Sequence, residues 1–221
     1  MVKATSVATL FIYLASTVYG FDAQEPLPFI PKQFTAELVY TAHLVDRSKE
    51  YPPAERHINF AYDALRGLAY AKVLKGYLAG RTYIRRYDLK REYMLREGKY
   101  PECRRSYLGE HLPEVIFPRD IVYIGIKRIG NEDFNHWVHE SQDSRVQIFH
   151  HAASGAPFRV TEESIFEGKV SPLTTYELRN IQLGKPNDSF FELPSMYSEA
   201  TCDRHVGGFP YIHLFYHYLK F

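Results

Sequence analysis

The sequence predicts a mainly β protein folded as one domain. Three observations carry that expectation. Aromatic residues make up 15% of the chain, with 18 Tyr and 15 Phe, and aromatic and β-branched side chains fit a half-buried pleated surface. Short runs of alternating apolar and polar residues recur at spacings near ten residues, punctuated by Gly, Pro and Asp, which is the pattern of many short strands. No internal repeat or low-complexity linker divides the chain. About nine or ten strands are expected, with short helical or loop cover.

Residues 1–20 stand apart from that domain. Lys3 supplies a positive charge, residues 7–14 form an apolar core, and residues 15–20 are mostly small, with Val18 and Gly20 placed for cleavage. The apolar run is too short for a bilayer core of roughly 30 Å, which takes about 20 residues. This is the layout of a secretory signal peptide, with the mature chain starting near Phe21. A short anchor or a buried strand is the plain alternative. The expected division is a signal peptide over 1–20, a β domain over 21–202 and an aromatic tail over 203–221 packed on the domain.

Within the domain, residues 25–31 are proline-rich and cannot be regular structure. A long strand is expected over 34–45, broken by Pro52 and Pro53. Residues 56–62 alternate around Ile58, Phe60 and Tyr62. The run 63–67 ends in Gly and reads as a turn. Strands are then expected over 68–74, 82–87 and 91–95. The stretch 103–118 holds Gly109, Pro113 and Pro118 and reads as irregular with a helical turn. Further strands are expected over 121–127, 135–140, 145–150, 157–161 and 174–183, with a short one over 190–194 stopped by Pro194. The tail 204–221 carries six aromatics, and its periodicity fits either strand or helix. Within it, residues 211–221 are expected to cover the sheet or add a strand to its edge.

Cysteine use and charge narrow the function. Cys103 and Cys202 are the only cysteines. An even, isolated pair in an exported chain most simply forms one disulfide; two free thiols are the alternative. The net charge of +1 implies no global attraction to nucleic acid or membrane, and export makes nucleic acid an unexpected partner. Residues 81–105 hold nine basic and four acidic residues. They read either as a contact for anionic groups or as the wet faces of hairpins with Asp88, Glu92 and Glu97 as counter-charges.

Candidate chemistry is thin. Ten histidines include His136 and His139, the adjacent His150 and His151, and His213 with His217. His213 and His217, four apart, would share a helix face, but none has a glutamate placed as in His-Glu-x-x-His and zinc needs three or four converging ligands, so surface or strand histidine is the plain reading and no metal site is expected. The glycine-flanked serine of the hydrolases and the glycine-rich phosphate loops are absent. Asn187-Asp188-Ser189 is the single N-glycosylation sequon.

The order of features resembles the ependymin-related proteins and, more broadly, the fold of bacterial lipoprotein carriers of the LolA type. The resemblance runs over residues 30–202. It rests on the proline-rich start, a long first strand, Tyr87-Asp88-Leu89-Lys90 leading to Cys103, and a strand around Trp137. Behind these come Pro157, then Thr174 to Leu178, then Phe191-Glu192-Leu193-Pro194 followed by Cys202. The chain departs from the ependymin pattern in lacking further cysteine pairs and in its aromatic tail. The resemblance implies one curved antiparallel sheet, a half-barrel around an apolar cavity, in a secreted or lysosomal, often glycosylated and dimeric protein. It implies no catalytic residues, and calcium only as a family trait.

The expected function is therefore a secreted, non-enzymatic binding protein for a lipid or other hydrophobic ligand. The candidate lining residues are Leu38, Tyr40, Phe60, Tyr62, Tyr70, Val73, Tyr123 and Phe149. A filled core is the plain alternative for them. An extracellular adhesion or matrix protein, meeting a membrane surface or another protein, is the second function; a hydrolase assembled from scattered His and carboxylates is the third.

Overall fold

The computed structural model describes residues 27–43, 45–46, 49–50, 53–112, 117 and 119–209. The expected signal peptide, its junction at Phe21, His213, His217 and residues 210–221 of the tail lie outside them. In chain order the strands are β1 (Gln33–Ala42), β2 (Val45–Asp46), β3 (Lys49–Glu50), β4 (Ala54–Asp63), β5 (Leu68–Lys75), β6 (Arg81–Arg86), β7 (Arg91–Arg96) and β8 (Glu102–Tyr107). They continue with β9 (Val122–Ile129), β10 (Glu132–Glu140), β11 (Ser144–His151), β12 (Pro157–Phe166), β13 (Lys169–Leu183) and β14 (Asp203–Arg204). A 3-10 turn spans Asp188–Phe191.

Twelve strands form one curved open sheet in the order β14-β8-β7-β6-β5-β4-β1-β13-β12-β11-β10-β9, and β2 pairs with β3 in a separate ribbon. The order amounts to two meanders joined at β1. The chain runs outward from β4 to β8, restarts at the far edge with β9, and steps back to β13, which closes against β1. All pairings in the large sheet are antiparallel except β14 on β8. Sequential hairpins need only short turns. At the first, Asp63 accepts the Arg66 backbone N–H at 3.2 Å and its Nε–H at 2.6 Å, while Gly67 takes φ +66°, a conformation that disfavours a Cβ.

Three expectations need correction. The sheet has twelve strands, not nine or ten. Residues 103–107, expected to be irregular, belong to β8 (Glu102–Tyr107): the sequence Glu-Cys-Arg-Arg-Ser-Tyr has no apolar period, and pairing with β7 from Arg91 opposite Tyr107 to Arg96 opposite Glu102 makes the strand. Of the expected strand at 190–194, residues 190–191 end the 3-10 turn and 192–194 are irregular. Asn187 caps that turn by accepting the Ser189 N–H at 2.9 Å, a local bond that favours a turn over a ladder.

The sheet buries both faces of its β4–β8 half. On the concave face, Phe34, Ala36 and Leu38 of β1 align with Tyr62, Phe60 and Ile58 of β4 in one cluster reaching Tyr83 and Met94 on one side and Trp137, Ile148 and Val160 on the other. On the convex face, residues 184–202 cross behind the sheet. Phe191 packs with Ala61 and Leu68, and Leu193 and Tyr197 pack on Ile84, Tyr93 and Leu95. Cys202 ends this strap and is disulfide-bonded to Cys103 on β8, with Cα atoms 4.7 Å apart. The chain then adds β14 beside β8 and turns over the sheet edge. There Phe209 enters the concave cluster, its N–H donating to Glu92 Oε1 at 3.0 Å.

Candidate functional site

The concave face collects the candidate binding residues. Strand alternation puts every second side chain of β1, β4, β5, β10, β12 and β13 on it. Leu38 is fully buried, and Phe60, Tyr62 and Val73 are each 3% exposed. Tyr40 packs 5.1 Å from Tyr176, ring centre to ring centre. Tyr123 packs 5.6 Å from Trp137, and its hydroxyl donates to Asn135 Oδ1 at 2.9 Å. These six of the eight expected lining residues share one surface.

Tyr70 and Phe149 do not belong to it. Tyr70 pairs with Ala61 and Ile84 on the convex face and packs 5.1 Å from Phe190 of the strap. Phe149 stacks at 4.4 Å on His136, opposite Arg159. Strands β5 and β11 are buried on both faces, so their apolar runs do not announce which side is inward, and a one-residue slip exchanges the faces.

Sequence reading missed much of the concave surface. Tyr83 and Met94 continue it across β6 and β7, and Ile148, Val160, Tyr176 and Leu178 continue it across β11 to β13. It also missed a buried ion pair. Arg85 and Glu92, 5% and 2% exposed, meet at 3.1 Å, and Arg85 reaches Glu110 at 2.9 Å. The basic segment thus divides: Arg86–Asp88 at 2.7 Å and Lys72–Glu97 at 3.0 Å are surface pairs, whereas Arg85–Glu92 is interior. Burial raises the Glu92 carboxyl, with Arg85 pulling the other way.

The Arg85–Glu92 pair lies on the same face as Tyr83 and Met94, at its β6–β7 end; the rest of that face suits apolar burial. Desolvation pushes the Tyr62 phenol up to about 12 and raises Tyr176 as well, so both stay neutral. His150, 1% exposed, lies 5.1 Å from the Trp137 ring, and burial lowers it to about 3. The convex side of β1, β4, β12 and β13 is charged instead. Glu177 bridges Arg159 at 2.8 Å and Arg179 at 2.7 Å, and His57 sits between Glu37 and Glu55. Among the described residues, no group of three or more His, Cys, Asp or Glu is placed to hold a metal ion, and no helix is long and apolar enough to cross a membrane. Asn187 is exposed at the start of the strap.

The concave cluster, where an apolar cavity is expected, is packed to 7% exposure or less; a cleft of about 680 Å³ opens instead at the β8 edge, where Arg91, Arg105 and Arg204 share the wall with Ser106, Tyr107, His205, Val206 and two glycines.

No family model matches the chain, and no curated protein matches it. Solved structures do resemble it. An uncharacterised conserved protein from Thermus thermophilus aligns with TM-score 0.49 and 16% identity over 79% of this chain and 91% of that one. A LolA superfamily protein from Nitrosomonas europaea aligns with TM-score 0.34 and 9% identity over 75% and 92%. MucB in the Pseudomonas aeruginosa MucA/MucB complex aligns with TM-score 0.41 and 13% identity over 74% and 56%.

Proposed function

We propose that this chain is an exported, non-enzymatic binding protein that holds a lipid or similar apolar molecule against the concave face of its sheet. The observation that carries this reading is the continuity of that face. A continuous apolar cluster runs from Trp137 to Tyr83 and Met94, its members at most 7% exposed, and partly exposed Ile30, Tyr40, Leu112, Phe117, Tyr123 and Ile181 pack against it, so a ligand reaches it by displacing that cover. Each methylene removed from water there contributes about 0.8 kcal/mol, so ten of an acyl chain supply roughly 8 kcal/mol before ordering costs. Export is supported by the Cys103–Cys202 bond, since disulfides belong to oxidising compartments.

Trp137 is the only tryptophan and lies in this surface, so it reports on the site. Titration of the secreted protein with a medium-chain fatty acid should change Trp137 emission saturably, and native mass spectrometry of fresh material should show co-purified lipid. Neither an emission change nor bound lipid would move the reading to an extracellular interaction protein. That second reading is favoured by the edge strand β9, where Val122, Ile124 and Ile126 are 57%, 57% and 66% exposed.

A further inference from the structure

The cleft at the β8 edge has chemistry of its own. It forms where the chain leaves β14 and passes over the rim of the sheet, and Arg91, Arg105, Arg204 and Tyr107 contribute to its wall. Arg91 and Tyr107 are cross-strand neighbours. Arg204 lies directly beside Arg105 in the parallel β14–β8 pairing, where like charges repel.

One carboxylate, Glu199, answers two of these three guanidiniums. Arg91 Nε and Arg105 Nη1 both donate to Glu199 Oε1, each at 3.1 Å. Two guanidiniums therefore already converge on one oxyanion oxygen. Arg204 has no carboxylate partner among the described residues, so its guanidinium is the one left available in the cleft. Asp203, next to Arg204, points to the other side of its strand. The surplus of positive charge and of planar donors suits a tetrahedral oxyanion, which guanidinium forks bind bidentately.

We infer that this cleft binds a sulfate or phosphate ester carried on a small polar molecule such as a sugar. Its volume, about 680 Å³, falls within the roughly 300 to 1,000 Å³ of small-molecule sites. The Tyr107 ring, 62% exposed, offers a face for the sugar ring beside the guanidiniums. Glu199 acts as the internal anion, holding Arg91 and Arg105 while competing with the ligand for them. The site is separate from the concave apolar face.

Calorimetry on the full secreted chain tests this. The probes are a sulfated disaccharide, its desulfated counterpart, inorganic sulfate, inorganic phosphate, and phosphatidylglycerol-containing vesicles. The sulfated disaccharide should bind saturably and weaken with salt, the free ions should bind more weakly, and the desulfated sugar and the vesicles should not bind. Arg204→Ala should weaken the disaccharide roughly tenfold, one lost charged hydrogen-bonding partner, with the ligand-free melting temperature and the Trp137 response to fatty acid unchanged. Glu199→Gln should tighten it several-fold. Equal binding of the desulfated sugar, vesicle binding without disaccharide binding, or unaltered affinity in Arg204→Ala would each overturn the assignment.

Discussion

Replacing both Cys103 and Cys202 with Ala removes the only covalent cross-link and leaves no free thiol. The two residues are 99 positions apart, and opening a loop of that length returns about 4.7 kcal/mol of chain entropy to the unfolded state. For a chain of this size each kcal/mol moves the melting temperature by about 2 to 4 °C, so a drop of about 10 to 19 °C is expected. The loss should also be localised. Cys202 pins the strap onto Ile84, Tyr93 and Leu95, whereas the concave cluster is held by strand pairing and its own contacts. Limited proteolysis of the double variant should therefore cut first between 192 and 201, before β1 and β4 lose hydrogen-exchange protection. A melting temperature within about 3 °C of the native protein, or first cleavage within β1 or β4, would refute the view that this bond acts by closing the long loop and fastening the strap.

Two further outcomes follow from individual side chains. Leu38→Ala opens a hole at a fully buried point of the concave cluster and should cost about 3 kcal/mol in urea unfolding, since the paired strands β4 and β13 cannot collapse into it; a loss under about 1 kcal/mol would show that the site is loosely packed. His150 is neutral when folded, with its value lowered to about 3, while unfolded histidine titrates near 6.5. As pH falls through about 6.5 towards 3 the unfolded state takes up the proton first, so stability declines by up to about 1.4 kcal/mol per pH unit. His150→Leu should flatten that acid limb, and an identical acid limb in the variant would remove His150 as its cause.

Much of the fold is legible in the sequence because local physics dictates it. Alternation in 56–62 places Ile58, Phe60 and Tyr62 on one face, and the structure keeps them there. The turn at 63–67 needs only Asp63 and Gly67. The cysteine pair needs only its isolation, in a chain that reads as exported, to point to a bond. What tertiary structure decided is whatever depends on partners far along the chain. Strand β8 exists because β7 and β14 pair with it, not because Glu-Cys-Arg-Arg-Ser-Tyr prefers to extend. Tyr70 faces outward because the strap, much later in the chain, supplies Phe190 to cover it. Arg85 and Glu92 look like surface charges in a basic stretch, yet the curved sheet buries them against each other and Phe209. The cationic cleft has the same origin: Arg91, Arg105, Glu199 and Arg204 meet only once the disulfide-bonded strap returns to the sheet edge, and no spacing along the chain encodes that meeting.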